Sequence, residues 1–89
     1  MVRRMVTITN KLGLHARSAA RFVKLASSFE CDINIVHGDR EVSGKSIMGV
    51  MMLAAGKGTD IEIIASGNDE EFAVAKLERL VKNQFEGEE

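Results

Sequence analysis

The sequence has no tryptophan, no tyrosine and no proline, and it carries one cysteine in 89 residues. Without Trp and Tyr it lacks the usual stacking platforms for bases, and a net charge of -1 provides no global field to attract nucleic acid or an anionic membrane. Neither is expected as a partner. A lone Cys31 cannot close an internal disulfide, and an unpaired thiol suits a reducing compartment, so the cytoplasm is the expected location. No apolar run reaches membrane-spanning length, and MVRRMVTITN alternates where a secretory signal would be continuously apolar. His15, His37 and Cys31 show no metal-ligand spacing, so no metal or other cofactor is expected.

What is present is a regular succession of short patterned segments across a single domain, residues 1–89. Val6 and Ile8 alternate with Met5, Thr7 and Thr9, which predicts a half-buried strand. From Ala16 the apolar positions Ala19, Ala20, Phe22, Val23, Ala26 and Phe29 recur at helical spacing, opposite Arg17, Arg21, Lys24 and Ser28. Cys31, Ile33 and Ile35 alternate as a second strand, and HGDR turns the chain into a short third strand near Glu41–Ser43. Ser46 is placed to cap a two-turn helix over IMGVMML, with its end marked by Gly56 and Gly58. Ile61, Ile63 and Ala65 form a fourth strand. GNDEE then starts a last helix with an inner stripe of Ala73, Val74, Leu77, Leu80 and Val81 and an outward Glu78–Lys82 pair. The order βαββαβα predicts an open-faced α/β (α+β) sandwich, with helices on one face of a four-stranded sheet.

One position departs from ordinary helix grammar. In NKLGLHARSAA, His15 stands where a helix start favours Ser, Thr, Asp or Asn. Imidazole caps poorly, so the position either costs a little stability for nothing or serves chemistry on an anion at the helix N-terminus. Ser18 could pair with His15 as a nucleophile, but no oxyanion loop or third triad member accompanies them. Phosphoryl transfer asks for less: an accessible neutral nitrogen and positive charge around the phosphoryl oxygens. The backbone amides of Ala16, Arg17 and Ser18 and the side chain of Arg17 would supply that charge. Arg17, Arg21 and Lys24 make this the basic end of the chain, whereas acidic residues gather in NDEEF and the terminal EGEE.

GLHARSAARFVKLAS together with GKSIMGVMMLAAGKG resembles HPr, the histidine-containing phosphocarriers of the bacterial phosphoenolpyruvate-dependent sugar phosphotransferase system, over essentially the whole chain. The resemblance implies a four-stranded antiparallel sheet with three helices on one side. It puts the phosphohistidine on His15, the phosphate-stabilising arginine on Arg17 and a regulatory phosphorylation site on Ser46. It also implies a cycle in which enzyme I phosphorylates His15 and an EIIA-type domain receives the group, with an HPr serine kinase/phosphorylase as a further partner where one exists. The implied docking surface takes in Leu14, Ala20, Arg21, Lys24, Ile47, Met48 and Met51 on a monomeric protein that is acted on by enzymes rather than being one. Two of Ile47, Met48, Met51 and Met52 are expected in the core, and the others on that surface. His37 is expected in a turn without a chemical role. The alternative reading is a regulatory relative, nitrogen-related or catabolite-control, that signals through phosphorylation state and docking without sugar transport; non-carrying relatives would be expected to lack the histidine. Where the family pattern reads HARP, this chain has Ser18, which either loosens the turn or adds an amide for phosphate.

Overall fold

The computed structural model describes residues 1–86, which leaves all of the terminal EGEE but Glu86 outside the described residues. Its elements are β1 (Val2–Thr7), α1 (Ala16–Ser27), β2 (Asp32–His37), β3 (Arg40–Ser43), α2 (Ile47–Met52), β4 (Asp60–Ser66) and α3 (Glu70–Lys82). The βαββαβα order read from the sequence is the one observed. The four strands form one antiparallel sheet ordered β1-β4-β2-β3, with β4 inserted between the first two strands of the chain.

Side chains directly opposite one another across antiparallel strands share a face, so the register shows how the inner face is assembled. Val6 pairs with Ile61, Ile33 with Ala65 and Ile35 with Ile63, and all six are buried. The helices cover this face. α1 contributes Ala19, Phe22, Val23 and Ala26, α2 contributes Val50, and α3 contributes its whole predicted stripe of Ala73, Val74, Leu77, Leu80 and Val81. The other face of the sheet shows Arg3, Met5 and Thr7 to solvent.

Several local expectations are corrected. β1 starts at Val2 and ends at Thr7; Ile8 is buried but already bonds the Gly58–Thr59 segment through both its backbone groups. Ala20, assigned by spacing to the apolar stripe, is exposed, because the face that α1 turns inward carries Ser18, Ala19, Phe22, Val23 and Ala26. α2 stops at Met52, well before Gly56, and Ala54 takes φ +53. The early stop has a tertiary cause: Arg40 donates to the Met52 carbonyl at 2.7 Å, and His37 Nδ1 lies 3.0 Å from the Leu53 carbonyl, so the hairpin satisfies the last carbonyls of the helix. His37 is thus the last residue of β2 rather than a turn residue, and the turn is Gly38-Asp39 with Gly38 at φ +64. Glu78 makes the expected contact with Lys82 at 3.2 Å but also a shorter one, 2.6 Å, to Arg4 on β1, so it ties α3 to the sheet.

Cys31 is buried as expected, and burial first, then its hydrogen bond with Asp69, pushes the thiol up to about 11.

Candidate functional site

His15 occupies the N-cap of α1 with extended backbone (φ -120°, ψ -173°), and its Nδ1 accepts the Arg17 N–H at 3.3 Å. The imidazole is therefore the cap itself. A nitrogen that accepts this bond carries no proton, so the neutral ring holds its hydrogen on Nε2 and aims the Nδ1 lone pair at the helix start. The ring is only partly buried. Ser18, three residues on, closes a reciprocal box: its Oγ accepts the His15 N–H at 3.0 Å.

The loop before His15 is fixed from both sides. Gly13 sits at φ +68, where a side chain would be strained, and a Cβ there would run into the Ala55 carbonyl and lie 2.7 Å from Gly56 Cα. Leu14 N–H bonds the Ala55 carbonyl at 2.9 Å, which fastens the loop to the segment after α2. Asn10 Nδ2 donates to the Gly13 carbonyl at 2.9 Å.

A cleft of about 260 Å³ opens beside the ring, with Lys11, His15, Arg17 and Arg21 on its walls and the Gln84–Glu86 segment across from them. The guanidinium of Arg17 is exposed and makes no ion pair with any described residue. Arg21 is not an outward cation: it is partly buried, and its Nη1 donates to the Phe85 carbonyl at 2.6 Å. Phe85 is held there because α3 ends with Gln84 N–H bonded to Val81 O and Phe85 N–H to Leu80 O, a Schellman pattern that puts Gln84 and Phe85 at φ +59 and +62. Lys24 lies farther along α1, outside the cleft wall, whereas Lys11 lines it.

Ser46 caps α2 as the sequence predicted, its Oγ accepting the Gly49 N–H at 3.0 Å. The expectation that two of the four large apolar residues of α2 are in the core fails. Ile47, Met48, Met51 and Met52 are all exposed, at 44, 70, 37 and 59%, because a six-residue helix directs only Val50 inward and Leu53 follows just after it. They form an apolar surface on a helix that packs against α1. Leu14, placed by resemblance on the docking surface, is 6% exposed and belongs to the core: its backbone ties the loop down and its side chain follows. Ala20 does lie exposed on α1. Sequence reasoning missed the hydroxyl of Ser18, the side chain of Asn10 and the tether through Arg21. Asn10 left a signal, as the residue that breaks the first strand's alternation, and Ser18 left one as the departure from the family pattern, whereas the Arg21 tether left none.

Comparison with known proteins gives the class first. Residues 2–83 match the family described as PTS HPr component phosphorylation site, which places the chain among bacterial phosphotransferase-system phosphocarriers. The phosphocarrier protein HPr of Pseudomonas putida is 50% identical over 90 residues, covering 99% of this chain and 100% of that protein. The crystal structure of HPr-C-His from Thermoanaerobacter tengcongensis superposes with a TM-score of 0.93 at 40% identity, covering both chains fully. Crh, a Bacillus subtilis catabolite repression protein crystallised as a swapped dimer, matches at a TM-score of 0.77 and 40% identity over 98% of this chain and 100% of that one. The chain belongs to the HPr family. No described helix is long and apolar enough to cross a membrane.

Proposed function

We propose that this chain carries the phosphoryl group on His15, with Nδ1 as the attacking atom. The observation that supports this most is the bond from the Arg17 N–H to Nδ1. The lone pair that would attack phosphorus already faces the Arg17 amide, and the N–H groups of Ala16, Arg17 and Ser18 have no carbonyl to bond within the helix. As the bond from Nδ1 to phosphorus forms and the bond to the donor breaks, those amides can pass from the ring nitrogen to the phosphoryl oxygens. The helix dipole and the exposed Arg17 guanidinium favour the same charge. An open cleft suits a group that must be received from one protein and surrendered to another.

Enzyme I as donor and an EIIA-type domain as acceptor follow from family membership, and the surface that would receive them is the exposed face of α2 together with Ala20 on α1. Adaptable methionines suit successive docking to different partners, and the basic residues around the cleft would steer acidic ones at high rate. Ser46, at the start of that helix, is the regulatory position: a phosphate there adds about -1.5 to -2 charges to the docking face and would slow phosphorylation of His15. We assign the activity to a single copy, since the cleft is complete within one chain, and to the cytoplasm, which suits the unpaired Cys31. In the regulatory alternative, which the likeness to Crh keeps in view, the chain would signal through its phosphorylation state and partner docking without serving sugar transport.

The test is incubation with enzyme I and phosphoenolpyruvate, followed by addition of EIIA-type domains. One acid-labile phosphoryl group, absent in His15→Ala and passed onward, is expected. Uptake without transfer to any sugar-specific EIIA-type domain would select the regulatory reading, and no uptake would end both.

A further inference from the structure

Ser18 is 3% exposed, an uncommon burial for a hydroxyl in a first helical turn. Its Oγ lies 2.7 Å from the Gly13 carbonyl, 3.0 Å from the His15 N–H and 3.3 Å from the His15 carbonyl. One hydroxyl has one proton, and the shortest contact, to Gly13, takes it; the lone pairs remain for the His15 N–H. The His15 carbonyl is meanwhile held by the Ala19 N–H at 2.8 Å. Both backbone polar groups of His15 are thus engaged, and Ser18 is the side chain that joins the residue to the loop before it. A proline at this position would fix the turn through its ring, but it could bond neither the Gly13 carbonyl nor the His15 N–H.

We propose that the Ser18 hydroxyl is a positioning residue for phosphoryl transfer in this protein. By anchoring the His15 N–H and the Gly13 carbonyl to one atom, it keeps the His15 backbone extended and Nδ1 pointed at the Arg17 amide. The amides then meet the incoming phosphoryl oxygens without a rearrangement of the loop. This is neither of the two effects expected from the sequence, a looser turn or an added amide: serine in place of proline braces the turn through its hydroxyl. The role rests on the carrier reading of His15.

The test compares the full chain with Ser18→Ala and Ser18→Thr. The readouts are amide hydrogen exchange at His15 and the kcat and KM for phosphorylation by enzyme I. Ser18→Ala should exchange the His15 amide roughly tenfold faster while α3 amides stay unchanged. Its kcat should fall roughly three- to tenfold with KM within about twofold. Ser18→Thr, which keeps the hydroxyl, should stay within about twofold of the parent on both kinetic constants. A Ser18→Ala kcat equal to the parent's, or a Ser18→Thr as slow as Ser18→Ala, overturns the proposal. Should Ser18→Ala not fold, Ser18→Cys, of similar size but weaker hydrogen bonding, is expected to show the same kcat loss, and a parent-like kcat there overturns it. A parent chain that takes up no phosphoryl group overturns the carrier reading and this role together, an outcome distinct from a phosphorylated parent matched by its Ser18 variants.

Discussion

Helices α1 and α2 both begin with a side chain that accepts a first-turn N–H, but the two side chains differ greatly in quality as caps. Ser46 is among the preferred residues for the task and holds Gly49 N–H at 3.0 Å. His15 is a poor choice and holds Arg17 N–H at 3.3 Å. α3 offers a third solution: Asp69 at its start makes no cap bond, because its carboxylate is committed to the backbone N–H groups of Glu30 and Cys31, both at 3.0 Å. At Ser46 the residue matches the local rule for a cap. At His15 the rule is broken although serine would satisfy it, and the proposed carrier role accounts for the choice: imidazole can take a phosphoryl group as a nucleophile.

The sharpest way to break this comparison is to make the two starts alike. His15→Ser should abolish phosphoryl uptake completely while leaving stability unchanged or raising it by up to about 1 kcal/mol, since the cap improves. Urea unfolding and uptake measured together decide it, and a loss of more than about 1 kcal/mol would mean that the imidazole is a structural residue after all.

Arg17 comes next in expected effect. Arg17→Ala should slow phosphorylation on the order of 100-fold, the usual consequence of removing one group aimed at transition-state charge. Stability should move by less than about 0.5 kcal/mol because the side chain is exposed and unpaired among the described residues. Lysine should rescue in part, supplying charge without the planar fork.

At the other helix start the order of effects is reversed. Ser46→Ala should cost about 1 kcal/mol, a fall in Tm of roughly 4–8 °C for a chain of this size. Ser46→Asp keeps an oxygen for the cap and should retain near-native Tm, yet lower the rate of phosphorylation by enzyme I, with the effect fading as salt rises. An unchanged rate in both Ser46→Asp and serine-phosphorylated protein would leave Ser46 as a cap alone.

The smallest effect concerns α3. The backbone N–H of Glu30 foremost, with the Cys31 thiol, holds the Asp69 carboxyl below its ordinary value, and the Gly67 N–H foremost does the same for Glu70. Glu78 is also lowered, its burial being outweighed by hydrogen bonds from Lys82 and Arg4. All three bind protons more weakly folded than unfolded, so their contribution is present above the ordinary carboxylate range and is lost as pH falls from there through their lowered folded values. The urea midpoint should decline below about pH 4.5, and less steeply in Asp69→Asn.

The fold was legible because each strand alternates and each long helix keeps its stripe, patterns set within a few residues of one another. The place of His15 at the helix cap, with Arg17 in the first turn, was legible because a histidine in a cap position contradicts a local rule. The remainder depended on partners distant in the chain or on direction. Arg21 meets a carbonyl 64 positions away, and His37 one that is 16 positions away, so neither contact has a local signature. Leu14 borders His15 in sequence, yet the bond from its N–H to Ala55 turns it inward. The four large side chains of α2 read as half core, but so short a helix has only one inward side.

The central claim is that the ring nitrogen facing the helix amides receives the phosphoryl group. The direct measurement is nitrogen-15 NMR of ring-labelled protein after phosphorylation by enzyme I and phosphoenolpyruvate, which identifies the phosphorylated nitrogen. Attachment at Nδ1, with the Arg17 amide resonance shifted as its bond passes to a phosphoryl oxygen, is the result predicted. Attachment at Nε2, or an Arg17 amide that does not respond, would contradict it.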